Sequence, residues 1–137
     1  MEILEKKYQT CVKALAALEA SIDFYQKSAY DQALNLFIRD SMIKRFEYTS
    51  DIFWKYLYFY LKTKYGTQPS VVAPKSIYQE SASAGIISES EASQLITMVN
   101  IRNSTVHTYD EPFAKKICAS IPDCAHLMHT ILQRLIP

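Results

Sequence analysis

The sequence has 137 residues, of which 49% are hydrophobic and 21% charged, so it is long and apolar enough to form one domain with its own core. Fifteen basic and 14 acidic side chains leave a formal net charge of +1, which excludes a uniformly basic nucleic-acid-binding protein and an acidic, disordered chain. The sequence contains only two glycines, Gly66 and Gly85, which excludes a glycine-rich phosphate-binding loop.

Two helical patterns occupy the first half of the chain. An apolar seam at alternating steps of four and three, without glycine or proline, predicts a helix over residues 2–26. A second uninterrupted stretch runs from about Tyr30 to Tyr65, and Gly66 supplies its C-terminal stop. Nine aromatic residues lie between Phe46 and Tyr65. Because one core face cannot bury them all, we expect some of them to contact a second chain or a partner.

Shorter helices are predicted beyond the loop that follows Gly66. Pro74 suits a first helical turn, and the helix that it opens is expected to end near Ala84. Ser88 and Glu91 have the spacing of a capping box ahead of another apolar run.

The sequence after Tyr109 predicts two more helical segments. Asp110 suits the cap of one helix, which Pro122 is expected to break. A final segment then runs from Cys124 to Leu135. No strand pattern is present, so the sequence predicts an all-α, up-and-down bundle of four or five helices, forming a single domain over residues 1–137.

The cysteines and apolar runs indicate the cellular compartment. Cys11, Cys118 and Cys124 are an odd set without the spacing of a disulfide framework, which predicts reduced thiols. The charged N-terminus does not resemble a signal peptide, and no run of about 18 apolar residues exists to span a membrane. We therefore expect a soluble, cytoplasmic protein.

One charged side chain interrupts the apolar pattern after the capping box. Arg102 shares a helical stripe with Leu95, Val99 and Val106, where a core helix would carry an aliphatic residue. A guanidinium in that position needs a partner. The simplest interpretation is a structural ion pair, for example with Glu47.

Further polar residues follow Arg102 closely. Asn103 and His107 are four residues apart and share a helix face, and Tyr109 returns to the side of Arg102 if the helix continues. Arginine binds phosphate oxygens through its forked N–H donors, and histidine exchanges protons near neutral pH. The group therefore suits phosphodiester chemistry.

The pattern Arg102-x4-His107-x-Tyr109, with Asn103 directly after the arginine, resembles the signature of the HEPN superfamily. Within it, the chain is similar to the HepT-like toxins that are paired with a minimal nucleotidyltransferase, also called nucleotidyltransferase substrate-binding proteins. The segment from Ile43 to Tyr48 is similar to a second stretch of that group, and the likeness extends over nearly the whole chain.

The resemblance implies a metal-independent endoribonuclease toxin of a type VII-like toxin–antitoxin pair, acting as a homodimer whose motif-bearing helices face each other across a cleft. His107 would be the general acid or base for attack of a ribose 2′-hydroxyl, leaving a 2′,3′-cyclic phosphate. Arg102 would hold the phosphate, and Asn103 would orient the phosphate or His107. The nucleotidyltransferase antitoxin would silence the toxin by transferring AMP to Tyr109. Independently of the resemblance, Glu47 is expected to support the site structurally through an ion pair with Arg102 or Arg45.

Two other functions stay open. The chain could be a non-catalytic substrate-binding or acceptor subunit of a nucleotidyltransferase complex. It could also be a structural homodimer in which Arg102 and His107 form a buried polar network.

Two further groups of residues have more than one interpretation. The basic residues of the long helix form a solvated face, an RNA track or a partner surface: Lys44, Arg45, Lys55, Lys62 and Lys64. A metal site is disfavoured because the candidate ligands fit no zinc-finger spacing: Cys118, Cys124, His126 and His129. We expect neither a metal nor a cofactor.

Overall fold

The computed structural model of the protein describes residues 2–137. Within these residues all regular secondary structure is helical, which confirms the all-α bundle predicted from the sequence. The elements in chain order are α1 (Glu2–Lys27), α2 (Gln32–Tyr65), α3 (Pro74–Ser83), α4 (Glu89–Ser104), a short 3₁₀ turn (Thr105–His107) and α5 (Glu111–Arg134). No helix in this part of the chain has both the length and the apolar character needed to cross a membrane.

Local capping sets both ends of helix α2. Helix α2 starts at Gln32, slightly later than predicted, because Asp31 caps it by accepting a hydrogen bond from the Leu34 N–H at 3.1 Å. The same helix ends at Gly66, whose φ of 63° lies in the left-handed region. This confirms the glycine stop.

The caps of the later helices also follow the sequence. The Glu91 N–H donates to the Ser88 hydroxyl at 3.0 Å, and the Ser88 N–H donates to the Glu91 carboxylate at 2.9 Å. This reciprocal pair is the predicted capping box. Asp110 accepts a hydrogen bond from the Phe113 N–H at 3.2 Å and starts α5.

The predicted break at Pro122 is wrong, because α5 continues through this residue to Arg134. Proline has no N–H, so the carbonyl of Cys118, four residues earlier, loses its usual helical donor. The apolar face nevertheless runs unbroken across the proline, with Ile121 and Met128 fully buried on either side of it. Burial of that face outweighs the loss of one backbone hydrogen bond.

The core is built around α2, which packs along α1 and contacts α3, α4 and α5. Its inward residues Phe46, Phe53 and Leu57 are completely buried. All three cysteines are free thiols in buried positions, as predicted. Burial raises the pKa of the Cys11 thiol to about 12, which keeps it protonated and unreactive.

Candidate functional site

Helix α4 ends sooner than the apolar stripe around Arg102 suggests. The Thr105 N–H donates to the carbonyl of Arg102, three residues back, and the chain tightens into the 3₁₀ turn. Val106 consequently leaves the stripe and is 67% exposed, so its assignment to the core face is wrong. Because the α-helix does not continue to Tyr109, that residue is placed by a turn rather than by helical periodicity.

The guanidinium of Arg102 is held mainly by a carboxylate that sequence reasoning missed. Its Nε and Nη2 donate to the two oxygens of Asp51 at 3.2 and 3.1 Å, in a forked pair. Its Nη1 lies 3.5 Å from Glu47, the expected partner. Glu47 and Asp51 are four residues apart on α2 and therefore share a face, which was the signal available in the sequence.

Glu47 lies at the centre of this polar cluster, with only 18% of its side chain exposed. The hydroxyl of the buried Thr105 donates to Glu47, which links the 3₁₀ turn to α2. Lys44 Nζ lies 3.5 Å from the other Glu47 oxygen. The pKa of Arg102 is raised chiefly by its hydrogen bonds to Asp51. The two cations and two carboxylates of the cluster balance in charge.

His107 and Tyr109 lie at the surface beside this cluster. The imidazole ring packs edge-on against the rings of Tyr109 and Phe113, with ring centroids 6.0 and 6.2 Å apart. Tyr109 is 84% exposed, and His107 and Asn103 are also exposed. The structure therefore brings Arg102 and Glu47 into contact, while the other three predicted site residues face solvent.

A small polar cleft separates the 3₁₀ turn from α2. It has a volume of about 200 Å³ and is lined by Asp40, Ile43, Lys44, Glu47, Thr105 and Thr108. An ion pair of 2.9 Å between Arg39 and Glu111 joins α2 to the start of α5 next to the cleft. The segment that carries Tyr109 is thus anchored to α2 on both sides.

The residues considered as metal ligands do not converge. Cys118 and Cys124 are buried in α5, His126 is exposed, and His129 pairs with Glu19 at 3.2 Å. Within residues 2–137, no three His, Cys, Asp or Glu side chains are grouped so that they could hold a metal ion.

Comparison with known proteins identifies relatives of this chain. A sequence model described as "Nucleotidyltransferase substrate binding protein like" matches residues 6–136. A solved structure from Thermus thermophilus is 36% identical, covers 88% of this chain and 99% of its own, and has a TM-score of 0.71. A search of curated proteins found no significant match.

A second solved structure shares the fold at lower sequence similarity. This Haemophilus influenzae protein is 19% identical, with a TM-score of 0.80 over 95% of this chain and 99% of its own. Its structure is described as revealing the fold of a substrate binding domain of a nucleotidyltransferase.

Proposed function

The chain belongs to the family of nucleotidyltransferase substrate binding protein-like chains, and we propose that it is the acceptor subunit of a complex with a separate nucleotidyltransferase. In this proposal residues 1–137 form one HEPN-like helical domain. The partner transfers AMP from ATP to the hydroxyl of Tyr109: the phenol oxygen bonds to the α-phosphorus, its proton is lost, and pyrophosphate leaves.

The main support for this proposal is that Tyr109 is exposed on a well-anchored turn. Its side chain is 84% exposed, although it lies in a well-anchored turn. The Asp110 N–H donates to the His107 carbonyl at 3.1 Å, and the Asp110 side chain caps α5. An exposed tyrosine on an anchored turn is accessible to another enzyme at little entropic cost.

Exposed apolar residues on α2 and the 3₁₀ turn supply a surface for the partner. Phe37 is 77% exposed, Tyr48 59% and Val106 67%. Tyr48 and Val106 directly follow Glu47 and Thr105, which line the cleft, and Phe37 is three residues before Asp40, another lining residue. Exposed apolar and aromatic side chains of this kind form the anchors of protein interfaces.

The proposal is tested by co-expression with the cognate nucleotidyltransferase and intact mass spectrometry. We expect the mass to rise by one or more AMP units. Tyr109→Phe should abolish the increase, whereas Tyr30→Phe, which changes another tyrosine that is 83% exposed, should preserve it. An unchanged mass of the wild-type chain, or modification that survives Tyr109→Phe, contradicts the proposal.

A second candidate function is metal-independent cleavage of RNA by a homodimer. It is favoured by the donors that remain on Arg102: three of its five N–H groups bind Asp51 and Glu47, and two are left for a phosphate. His107 is exposed and would take the proton of the attacking 2′-hydroxyl or protonate the leaving 5′-oxygen. The 2′-oxygen bonds to phosphorus as the P–O5′ bond breaks, which leaves a 2′,3′-cyclic phosphate and a 5′-hydroxyl, with Asn103 orienting the phosphate. AMP on Tyr109, beside His107, would block RNA by its charge and bulk.

The nuclease is tested with purified protein and RNA in EDTA. Arg102→Ala and His107→Ala should each abolish cleavage and Asn103→Ala should reduce it, whereas His126→Ala, which changes an exposed histidine on α5, should have no effect. Cleavage by the Arg102 and His107 variants at the wild-type rate contradicts the assignment. A monomer at active concentrations, measured by light scattering, contradicts the homodimer.

A further inference from the structure

A regular stripe of basic and aromatic residues runs along the outer face of α2. Its members are Lys44, Tyr48, Asp51, Lys55, Tyr58 and Lys62, which we call the α2 stripe. They follow one another at steps of four and three. In an α-helix this spacing places all six within an arc of about 80°, over a length of about 27 Å.

The stripe faces away from the core. The side chain of Lys44 is 84% exposed and Tyr48 is 59% exposed. Lys55 and Lys62 are exposed as well, and Tyr58 is half-buried. The three lysines and Tyr48 are therefore accessible to a ligand.

The electrostatic character of the stripe is positive, although the chain as a whole is nearly neutral. Residues 52–65 contain three lysines and no acidic residue. Asp51 is the only acidic member of the stripe, and Arg102 holds both of its oxygens. The charges of Lys55 and Lys62 are thus left without compensation from this helix.

Lysines of this region lie over aromatic rings. Lys62 Nζ is 4.6 Å from the ring centroid of Tyr58, and Lys7 Nζ, from α1, is 4.1 Å from the centroid of Phe59. Such cation–π contacts hold the ammonium groups in place while leaving their hydrogen-bond donors available. They bring positive charge and aromatic surface together on the same face.

We propose that the α2 stripe binds single-stranded nucleic acid. Lysines placed along a helix can contact successive phosphates of a strand, and the exposed ring of Tyr48 provides a stacking surface for an unpaired base. A duplex offers phosphates but keeps its bases stacked internally, so it cannot use the aromatic members. Because Arg102 is bound to Asp51 in the middle of the stripe, a bound strand passes directly beside the candidate site.

Fluorescence anisotropy with the full chain tests the proposal. The probes are labelled single-stranded RNA and DNA of one sequence, the corresponding duplexes, and inorganic polyphosphate as an unlabelled competitor. We expect both single strands to bind more tightly than either duplex. Lys55→Ala/Lys62→Ala should weaken binding about tenfold or more and lower the slope of log K against log salt by about 1.4, since each lysine on a single strand contributes about 0.7.

Matched variants separate the aromatic and electrostatic contributions. Tyr48→Ala should weaken single-strand binding at least about fivefold through lost stacking, with little change in the salt slope. Lys115→Ala/Lys116→Ala, on the exposed side of α5, should bind as the wild type does. Circular dichroism and thermal unfolding verify that each variant is folded.

Several results would overturn the proposal. One is that the wild type does not bind single strands, and another is that it binds duplex or polyphosphate as tightly as single strands. The third such result is a loss of affinity in Lys115→Ala/Lys116→Ala equal to that in Lys55→Ala/Lys62→Ala. Loss of nucleotidyltransferase co-purification by Lys55→Ala/Lys62→Ala, with oligonucleotide affinity retained, would assign the face to a protein partner instead. The inference does not depend on AMP transfer, since the chain expressed without a nucleotidyltransferase should bind the oligonucleotides.

Discussion

The ion pair between Arg102 and Asp51 gives a direct test of how the candidate site is held together. A double-mutant cycle with Asp51→Ala, Arg102→Ala and the double variant isolates their coupling from the effect of each truncation. Hydrogen bonds to charged groups contribute about 1.5–3 kcal/mol when they are well shielded from water.

The exposure of the pair reduces this value. Asp51 is 45% exposed and Arg102 28% exposed, so solvent screens much of the attraction, as it does for surface pairs. The forked geometry and the partly buried arginine place the coupling between the range of about 0.2–1 kcal/mol for exposed pairs and the value for shielded charged hydrogen bonds. We therefore expect a coupling free energy of about 1–1.5 kcal/mol.

The assay is urea unfolding of the four proteins at low and high salt. Arg102→Ala should destabilise the chain more than Asp51→Ala, because it leaves Glu47, which is only 18% exposed, without its guanidinium partner. A coupling free energy indistinguishable from zero would show that the fork does not persist in solution. In that case Arg102 would be free, and the polar cluster would not be the element that positions it.

The remaining predictions concern stability. Phe53→Ala removes a fully buried ring at the centre of α2 and should lower the free energy of unfolding by about 3–5 kcal/mol in urea titration; a loss below about 1 kcal/mol would contradict its central packing. Gly66→Ala should cost about 1 kcal/mol, because φ is 63° although a Cβ would meet no neighbour; a neutral variant by thermal unfolding would contradict this. The pKa of Glu91 is lowered chiefly by its hydrogen bond from Arg134. The contribution of ionised Glu91 to the free energy of unfolding is therefore complete above its unfolded-state pKa and disappears as pH falls through its folded-state pKa. The difference in unfolding free energy between wild type and Glu91→Gln should therefore shrink on acidification, and a gap independent of pH would contradict the linkage.

Helix ends show where local sequence is sufficient. The Ser88–Glu91 capping box and the stop at Gly66 involve residues within a few positions of each other. Their backbone geometry is therefore specified without reference to the rest of the fold. The break expected at Pro122 shows the limit of this reasoning, because the local preference of proline was overridden by the apolar face that α5 buries on both sides of it.

The environment of Arg102 shows the same limit at the candidate site. The sequence identified the arginine and its need for a partner, and it named Glu47. It did not identify Asp51, whose carboxylate makes the shorter contacts. Asp51 lies one helical turn beyond Glu47 on α2. Only the packing of α4 against α2 sets the position of Arg102 along that helix, and therefore which of the two acids receives its shorter contacts.

The sequence by itself determined the helical class, the main helix boundaries and the presence of a polar group after Arg102, because periodicity and capping are local properties. Tertiary structure alone decided that Asp51, 51 residues away, engages Arg102, and that Tyr109 lies exposed on an anchored turn. Contacts between distant segments depend on how apolar faces pack together, and the spacing of residues along one helix does not contain that information.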